Sequence, residues 1–425
     1  MNSVTKAQEI VLSHVQRLDV ESVSIHQAMG RVLAEDVASN RNHPPYDVSA
    51  MDGYAIRYAN VEGASKDSPV TLNVVDDIRA GSEPKCAVCT GEASMIMTGA
   101  PIPEGANAVI RVEDTSRRSH KGRHGKEEHG PDVEIWAEVP SGDNIRPMGE
   151  NLKLGDCVAK VGDEIRPAEV GILAMVKKAE VQVYRQPTVA ILSNGDELED
   201  IDEPFDPAKI PNANSYTVMA QLQAIGIKPV ILGIARDTRE QLEEKLREGL
   251  KYDVLIISGG VSVGHHDFVR PTLKDMGIDM HFWRVAMRPG HPMAFGTSDK
   301  TTVFALPGNP VASMVCVEEF VVPGMRKMMG FTKLFRPTVE AVVGRSVKDR
   351  EGRLHFMRAT LRKGADGRSI VTSVGAQGSG ILMSMVNADA LMIVPANRAA
   401  LDKGEKVRAQ LLFGTAFQQE PNLEI

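Results

Sequence analysis

The sequence predicts a multidomain α/β and β protein in which one open α/β sheet is joined to regions of β structure. Two observations carry most of this. Between Pro187 and Ala312, five short segments bearing glycine, proline or carboxylates each follow directly on an apolar run. Helix-like stretches lie between most of these runs, so the runs read as buried strands of an open α/β sheet. In addition, 425 residues exceed what one ordinary core organises, so several domains are expected.

The elements follow in order. Ser3 to Leu18 reads as an amphipathic helix with Ile10, Val11, Val15 and Leu18 on one face. His43-Pro44-Pro45-Tyr46 ends the first region, because two prolines cannot continue a helix. Tyr54 to Val139 reads as short strands and turns, for example Pro69 to Val75. From Ser141 the pattern stays β-like and becomes helical at Ala168 to Lys178. The α/β unit carries helices at Ser215–Ile225, Thr238–Lys251, Phe268–Met276 and Pro310–Met329. Its strands are the runs at Val189, Val230, Val254, Phe282–Ala286 and Thr302. After Arg336-Pro337, strands near Val339–Val343, Leu354–Leu361 and Ala390–Val394 predict a small C-terminal β barrel or sandwich. The expected parts are residues 1–45 with 141–186, 46–140, 187–331 and 332–425.

Composition excludes several classes of function. Charged residues make up 25% and hydrophobic ones 42%, the balance of a soluble globular chain. No run of about 18 apolar residues exists, and the N-terminus is already helix, so neither a membrane span nor a signal peptide is expected. A net charge of −7 argues against a nucleic-acid partner and requires any anionic ligand to be met by local cations or N–H groups. Cys86 and Cys89 form one isolated Cys-x-x-Cys, which predicts reduced thiols and a cytoplasmic location rather than a four-ligand zinc site. Ser116 to Gly130 contains His120, His124 and His129 among many charges, with no apolar support, and reads as a solvated loop.

The five segments supply the chemistry. Ligands bind beyond the carboxyl ends of the strands in such sheets, where the segments converge. Gly259, Gly260, Ser262 and Gly264 in Ser258–Gly264 form a turn before a helix, which suits backbone approach to a phosphate. Glu197, Asp237 and Asp267 come from three strand ends and offer carboxylates for Mg²⁺ held together with phosphate oxygens and water, Asp237 and Asp267 being the metal candidates. Each alone is more often a helix N-cap than a ligand, and it is the three at one edge that point to a metal. Pro307, Gly308, Asn309 and Pro310 form a rigid turn opening a helix, with N–H groups and an amide able to read a flat heterocycle. Arg288 and His291 flank a Pro-Gly turn and bring positive charge to the same edge. Outside this unit, Pro44–Ala55 and Met97–Ala106 lack core periodicity and present Asp52 and Thr98. Residue chemistry alone therefore gives a protein that binds a phosphorylated ligand with Mg²⁺.

The segments Pro44–Ala55, Met97–Ala106, Gly195–Leu198, Ser258–Gly264 and Leu306–Pro310, in this order along the whole chain, resemble the MoeA/gephyrin E-domain family of molybdopterin molybdenumtransferases. The resemblance implies a three-layer molybdopterin-binding α/β domain, a discontinuous N-terminal part, a β insertion and a C-terminal β domain. It implies a homodimer with the active site between the α/β domain of one subunit and other domains of its partner. The implied reaction joins molybdate to adenylylated molybdopterin with Mg²⁺ and releases AMP. Partners would be a molybdopterin adenylyltransferase and proteins of molybdoenzyme maturation. Asp52, Thr98, Glu197, Asp237, Asp267, Pro307 and Pro310 match positions the family uses at its site. Arg288 matches a basic one, and Arg358 and Ser379 match positions facing molybdate. His291 stands where the family usually has Lys, Ala312 where Ser is frequent, Asn194 where Thr is usual, and Asn151 where Asp is frequent. These departures bear on oxyanion affinity and on molybdate versus tungstate choice. Two other readings compete. Asp52 and Thr98 count against a molybdopterin adenylyltransferase, and the retained carboxylates count against a non-catalytic scaffold.

Overall fold

The computed structural model describes residues 1–116, 132–260 and 268–412. They pack as two compact units. The larger comprises Met1–Glu35, Val161–Pro167 and the chain from Glu180 onward, and the smaller comprises Asp36–Lys160 with Ala168–Ala179.

The larger unit is built on a six-stranded sheet in the order Val230–Ala235, Val189–Asn194, Val254–Ser258, Thr302–Leu306, Ala294–Thr297, Asp279–Phe282. The first four strands are parallel, while Ala294–Thr297 is antiparallel to both of its neighbours. Val254–Ser258 and Thr302–Leu306 are buried along their whole length, which is why they read as unbroken apolar runs. Ile191, Ile256 and Phe304 face one layer, with Val218, Leu222, Val311 and Val315 of helices Ala213–Gln223 and Pro310–Cys316. Leu192, Leu255 and Val303 face the other, with Leu242, Leu246, Val269 and Leu273 of helices Arg239–Gly249 and Val269–Asp275. This is the expected three-layer α/β domain. The N-terminal helix Val4–His14 adds Val4, Ala7 and Val11 to the first of these cores.

Two elements differ from the sequence expectation. The edge strand is Asp279–Phe282 rather than the run Phe282–Ala286. The chain leaves the sheet there because Met287–Arg288 pairs in parallel with Leu354–His355 of the C-terminal region, and Leu354 N–H donates to the Ala286 carbonyl. The helix expected over Pro310–Met329 is interrupted: Pro310–Cys316 and Val322–Met328 are joined by the wide turn Val317–Val321. Pro323 lacks the N–H that would reach the Glu319 carbonyl, and Gln8 Nε2 donates to that carbonyl instead at 3.2 Å.

In the C-terminal region, Thr338–Val343, Lys406–Leu411, Ala390–Val394, Leu354–Lys363 and Ser369–Ser373 pair in turn, and the last returns to the first in parallel. This closes a five-stranded barrel around Val343, Met357, Ala359, Val371 and Met392. Side chains alternate along Leu354–Lys363, so Phe356 and Arg358 point out of the barrel, and Phe356 joins the core of the α/β domain.

The smaller unit carries a five-stranded sheet in the order Ala108–Arg111, Gly53–Ile56, Glu92–Ile96, Val70–Ile78, Asp132–Ile135. Cys86, Cys89 and Cys157 are exposed free thiols and Cys316 is buried. Among the described residues, no helix is long and apolar enough to cross a membrane.

Candidate functional site

The carboxyl edge of the parallel sheet is held together by short polar contacts. Gly259 and Gly260 have φ of +92° and +65°. A Cβ at Gly259 would lie 2.4 Å from the Asn194 carbonyl oxygen, and one at Gly260 would meet Val269 at 2.4 Å and Asn194 Nδ2 at 2.9 Å. Both positions therefore require glycine, and the turn lies directly against the end of strand Val189–Asn194. Gly259 N–H donates to the Leu306 carbonyl, which ties this turn to Pro307–Pro310. Pro310 opens its helix as expected, with Asn309 at the capping position but making no capping side-chain bond.

Asp237 sits at the neighbouring strand end. Its Oδ1 accepts from Asn194 Nδ2 at 2.8 Å and its Oδ2 from Asp196 N–H at 3.3 Å. Asp196 Oδ1 accepts in return from Asp237 N–H at 3.1 Å. No described cation pairs with either carboxylate. Glu197 is exposed and lines a cavity of about 110 Å³ with Ser193, Asn194, Asn212, Asn214 and Ser258. Ser262, Gly264 and Asp267 lie outside the described residues, as does all of the 116–130 segment beyond Ser116.

The barrel supplies the other polar group. Arg358 is fully buried, and no carboxylate among the described residues pairs with it. Its Nε donates to Ser384 Oγ and its Nη2 to the Gly378 carbonyl, both at 3.1 Å, while Nη1 has no partner among the described residues. Burial holds its pKa down at about 10, still leaving the side chain charged at neutral pH. The loop carrying Gly378 and Ser379 reaches the α/β domain, where the Ser379 carbonyl accepts from Val311 N–H at 3.0 Å. Sequence position alone could not reveal this meeting of barrel loop and Pro307–Pro310 turn.

Arg288 is placed differently from a free cation. Its guanidinium is bound to the buried carboxylate of Asp349, whose second oxygen lies 2.9 Å from His355 Nδ1. Burial, more than any neighbouring charge, depresses the His355 pKa. His291 Nδ1 lies 2.9 Å from the Val285 carbonyl, so that nitrogen is the donor and Nε2 is the one left. In the smaller unit, Asp52 Oδ1 accepts from both the N–H and the hydroxyl of Thr98 at 2.7 Å, joining the two singled-out segments in one exposed turn.

The sequence reading missed Asn212 and Asn214 as parts of this edge. A signal existed: Asn212-Ala213-Asn214-Ser215 is a helix-start pattern, and Asn212 caps the helix by accepting from Ser215 N–H.

A three-layer α/β domain with carboxylates and glycine turns at one sheet edge, joined to a barrel bearing a buried unpaired arginine, defines a binder of a small anionic molecule. Family models described as the MoeA N-terminal region (domain I and II), a probable molybdopterin binding domain and the MoeA C-terminal region (domain IV) match residues 2–176, 190–327 and 340–412. A molybdopterin molybdenumtransferase of Nostoc sp. is 32% identical over 416 residues, covering 96% of this chain and 93% of the relative. One of Haemophilus influenzae is 34% identical over 390 residues, covering 91% and 92%. The crystal structure of a molybdopterin biosynthesis MoeA protein from Pyrococcus horikoshii matches with a TM-score of 0.79 at 28% identity, covering 97% of this chain and all of that one. The chain belongs to the MoeA family of molybdopterin molybdenumtransferases, transferases of molybdenum cofactor biosynthesis.

Proposed function

We propose that this protein transfers molybdate into adenylylated molybdopterin and releases AMP, acting as a cytoplasmic homodimer. The observation that carries this is Arg358: a fully buried guanidinium that, among the described residues, has no carboxylate beside it and one nitrogen unpaired. A buried charge left without a counter-charge is costly, and a molybdate dianion beside the Gly378–Ser379 loop would supply one. Ser379, Arg288 and the turns Gly259–Gly260 and Pro307–Pro310 would complete the contacts to oxyanion and ligand.

The donor set also fits Mg²⁺. Asp237 and Asp196 are adjacent hard carboxylates with no cation partner, and this ion takes one or two carboxylates along with phosphate oxygens and water. When bound, the ion would neutralise charge on the phosphoanhydride. Asp237, with Asp267 as the second carboxylate expected from the sequence, would hold it. Asn194 and the Asp196 N–H orient Asp237, and Glu197 would complete the polar wall around the ligand.

The test is incubation of the protein with adenylylated molybdopterin, molybdate and Mg²⁺ while AMP is followed by chromatography. The expected result is molybdate-dependent AMP release that stops on chelation of the metal. ATP consumption in place of AMP release would sink the reading. Light scattering across a dilution series, read beside activity, tests the dimer: a fully active monomer would overturn it.

A further inference from the structure

We infer that the larger unit carries an anion site apart from the one above: the cavity at the amino ends of strands Val189–Asn194 and Val230–Ala235 binds the phosphate group of a small phosphate monoester between Arg326 and Arg336. It lies at the opposite end of the sheet from the Gly259–Gly260 turn, and its residues take no part in the reaction proposed above.

The cavity measures about 920 Å³, a size that admits a small organic molecule. Five cations line it against two carboxylates, Glu21 and Glu164. Two of the five are engaged within the protein. Arg185 donates through both Nη atoms to Asp253, at 2.7 and 3.0 Å. Arg31 pairs with Glu21 and donates to the Tyr184 carbonyl at 2.8 Å. Lys228, Arg326 and Arg336 are left.

The two remaining guanidiniums are held in the same way. Arg326 Nε donates to the Lys333 carbonyl at 2.7 Å, and its guanidinium carbon sits 3.8 Å from the centre of the Phe331 ring. Arg336 Nε donates to Glu318 Oε2 at 2.8 Å. Each is fixed at Nε, while no described group accepts from its two Nη atoms, the edge that grips a pair of oxygens. Lys228 is exposed and pairs with no described carboxylate. Burial lowers the Arg326 pKa; Glu164 offsets part of this without forming an ion pair, and the charge of Arg336 adds to it. Two like charges that act on each other and keep free edges are relieved by an anion between them. A carboxylate has oxygens for one fork only. A phosphate monoester brings three terminal oxygens and close to two charges, enough for two forks and an ammonium. Met29, Pro187, Ile225 and Val230 offer apolar surface to its organic body.

Calorimetric titration of the full chain with phenyl phosphate, inorganic phosphate and benzoate supplies the test. Phenyl phosphate should bind about tenfold or more tightly than benzoate, and more tightly than inorganic phosphate. Arg326→Gln should weaken it about tenfold or more, whereas Arg358→Met, altered in the barrel, should change it by less than about twofold. Glu164→Gln should tighten it by about twofold or more, because the lining carboxylate outside an ion pair is removed. If Arg326→Gln does not fold, Lys228→Met takes its place, with a weakening of about twofold or more expected. Binding lost in Arg358→Met but kept in Arg326→Gln would put the phosphate elsewhere and overturn the inference. Benzoate bound as tightly as phenyl phosphate, or no gain in Glu164→Gln, would do the same. Inorganic phosphate bound as tightly as phenyl phosphate would overturn the ester as ligand. No saturable binding at all would leave these cations as partners for the carbonyl ends of helices Ala213–Gln223 and Val322–Met328 and nothing more.

Discussion

The sheet edge of the α/β domain and the outer face of the C-terminal barrel prepare for a ligand in opposite ways. At the sheet edge the groups that face no described cation are acceptors: Asp196 and Asp237, which take only neutral N–H donors, the exposed Glu197, and the Asn194 amide oxygen, which has no described partner. At the barrel the unengaged group is a donor, Nη1 of a buried cation. The two also differ in cost. Glu197 is exposed and well solvated, so its charge is cheap to keep without a ligand. Arg358 has exchanged water for two neutral hydrogen bonds, so its charge weakens the unliganded fold. An expensive charge in an otherwise apolar place is the better pointer to function, because packing alone gives no reason for it.

The largest expected effect is at that charge. Arg358→Met should lower molybdate-dependent AMP release by on the order of 10²- to 10³-fold. Its thermal midpoint should hold or rise, since a buried unpaired cation is replaced by an apolar chain of similar length. Unfolding curves and AMP assays on one preparation check both halves. A variant that loses several degrees together with activity would make Arg358 a structural element and erase the contrast between the two regions.

A smaller effect is expected at the sheet edge. Asp237→Ala should slow AMP release by about 10²-fold while pterin binding persists, because the carboxylate acts on the phosphoanhydride rather than on docking. Rate measurements at limiting Mg²⁺ decide this. A wild-type rate there would remove Asp237 from metal binding and leave the edge with a purely recognitive role.

The two halves were also unequally legible in the sequence. Glycine turns, the Pro307–Pro310 helix start and the carboxylates are local patterns following apolar runs, so the sheet and its polar edge could be read from the chain. Arg358 could not be read that way. Alternation along Leu354–Lys363 says that Arg358 and Met357 face opposite sides, but not which side is the barrel interior. Only resemblance singled Arg358 out, and its missing partner is a tertiary fact. The pairing of Arg288 with Asp349 was hidden for the same reason, since sixty-one residues separate them. Pro323, by contrast, was a legible local signal against an unbroken helix from Pro310 to Met329.

That interruption produces the last and smallest effect, at a second buried ionisable group that lacks a counter-charge. Glu319 is buried in the wide turn, with Gln8 Nε2 on one carboxyl oxygen at 3.2 Å and Gln410 Nε2 on the other at 2.7 Å. Its charged surroundings include Glu318, itself paired with Arg336, and no cation among the described residues pairs with Glu319. Burial, with a further push from Glu318, raises its pKa from 4.5 to about 7. Where Arg358 keeps its charge, Glu319 takes up a proton. The folded state then holds that proton more tightly than the unfolded chain does. The contribution of Glu319 to stability is therefore full below about pH 4.5 and is lost as pH rises towards 7, by at most about 1.4 kcal/mol per pH unit. Glu319→Gln removes this titration and leaves the other ionisable groups in place. Urea unfolding of both proteins between pH 5 and 8 should show the variant gaining on wild type as pH rises, by on the order of a few kcal/mol at most. Parallel stability curves would mean that Glu319 is ionised throughout, and that its two glutamine partners suffice to hold a buried charge.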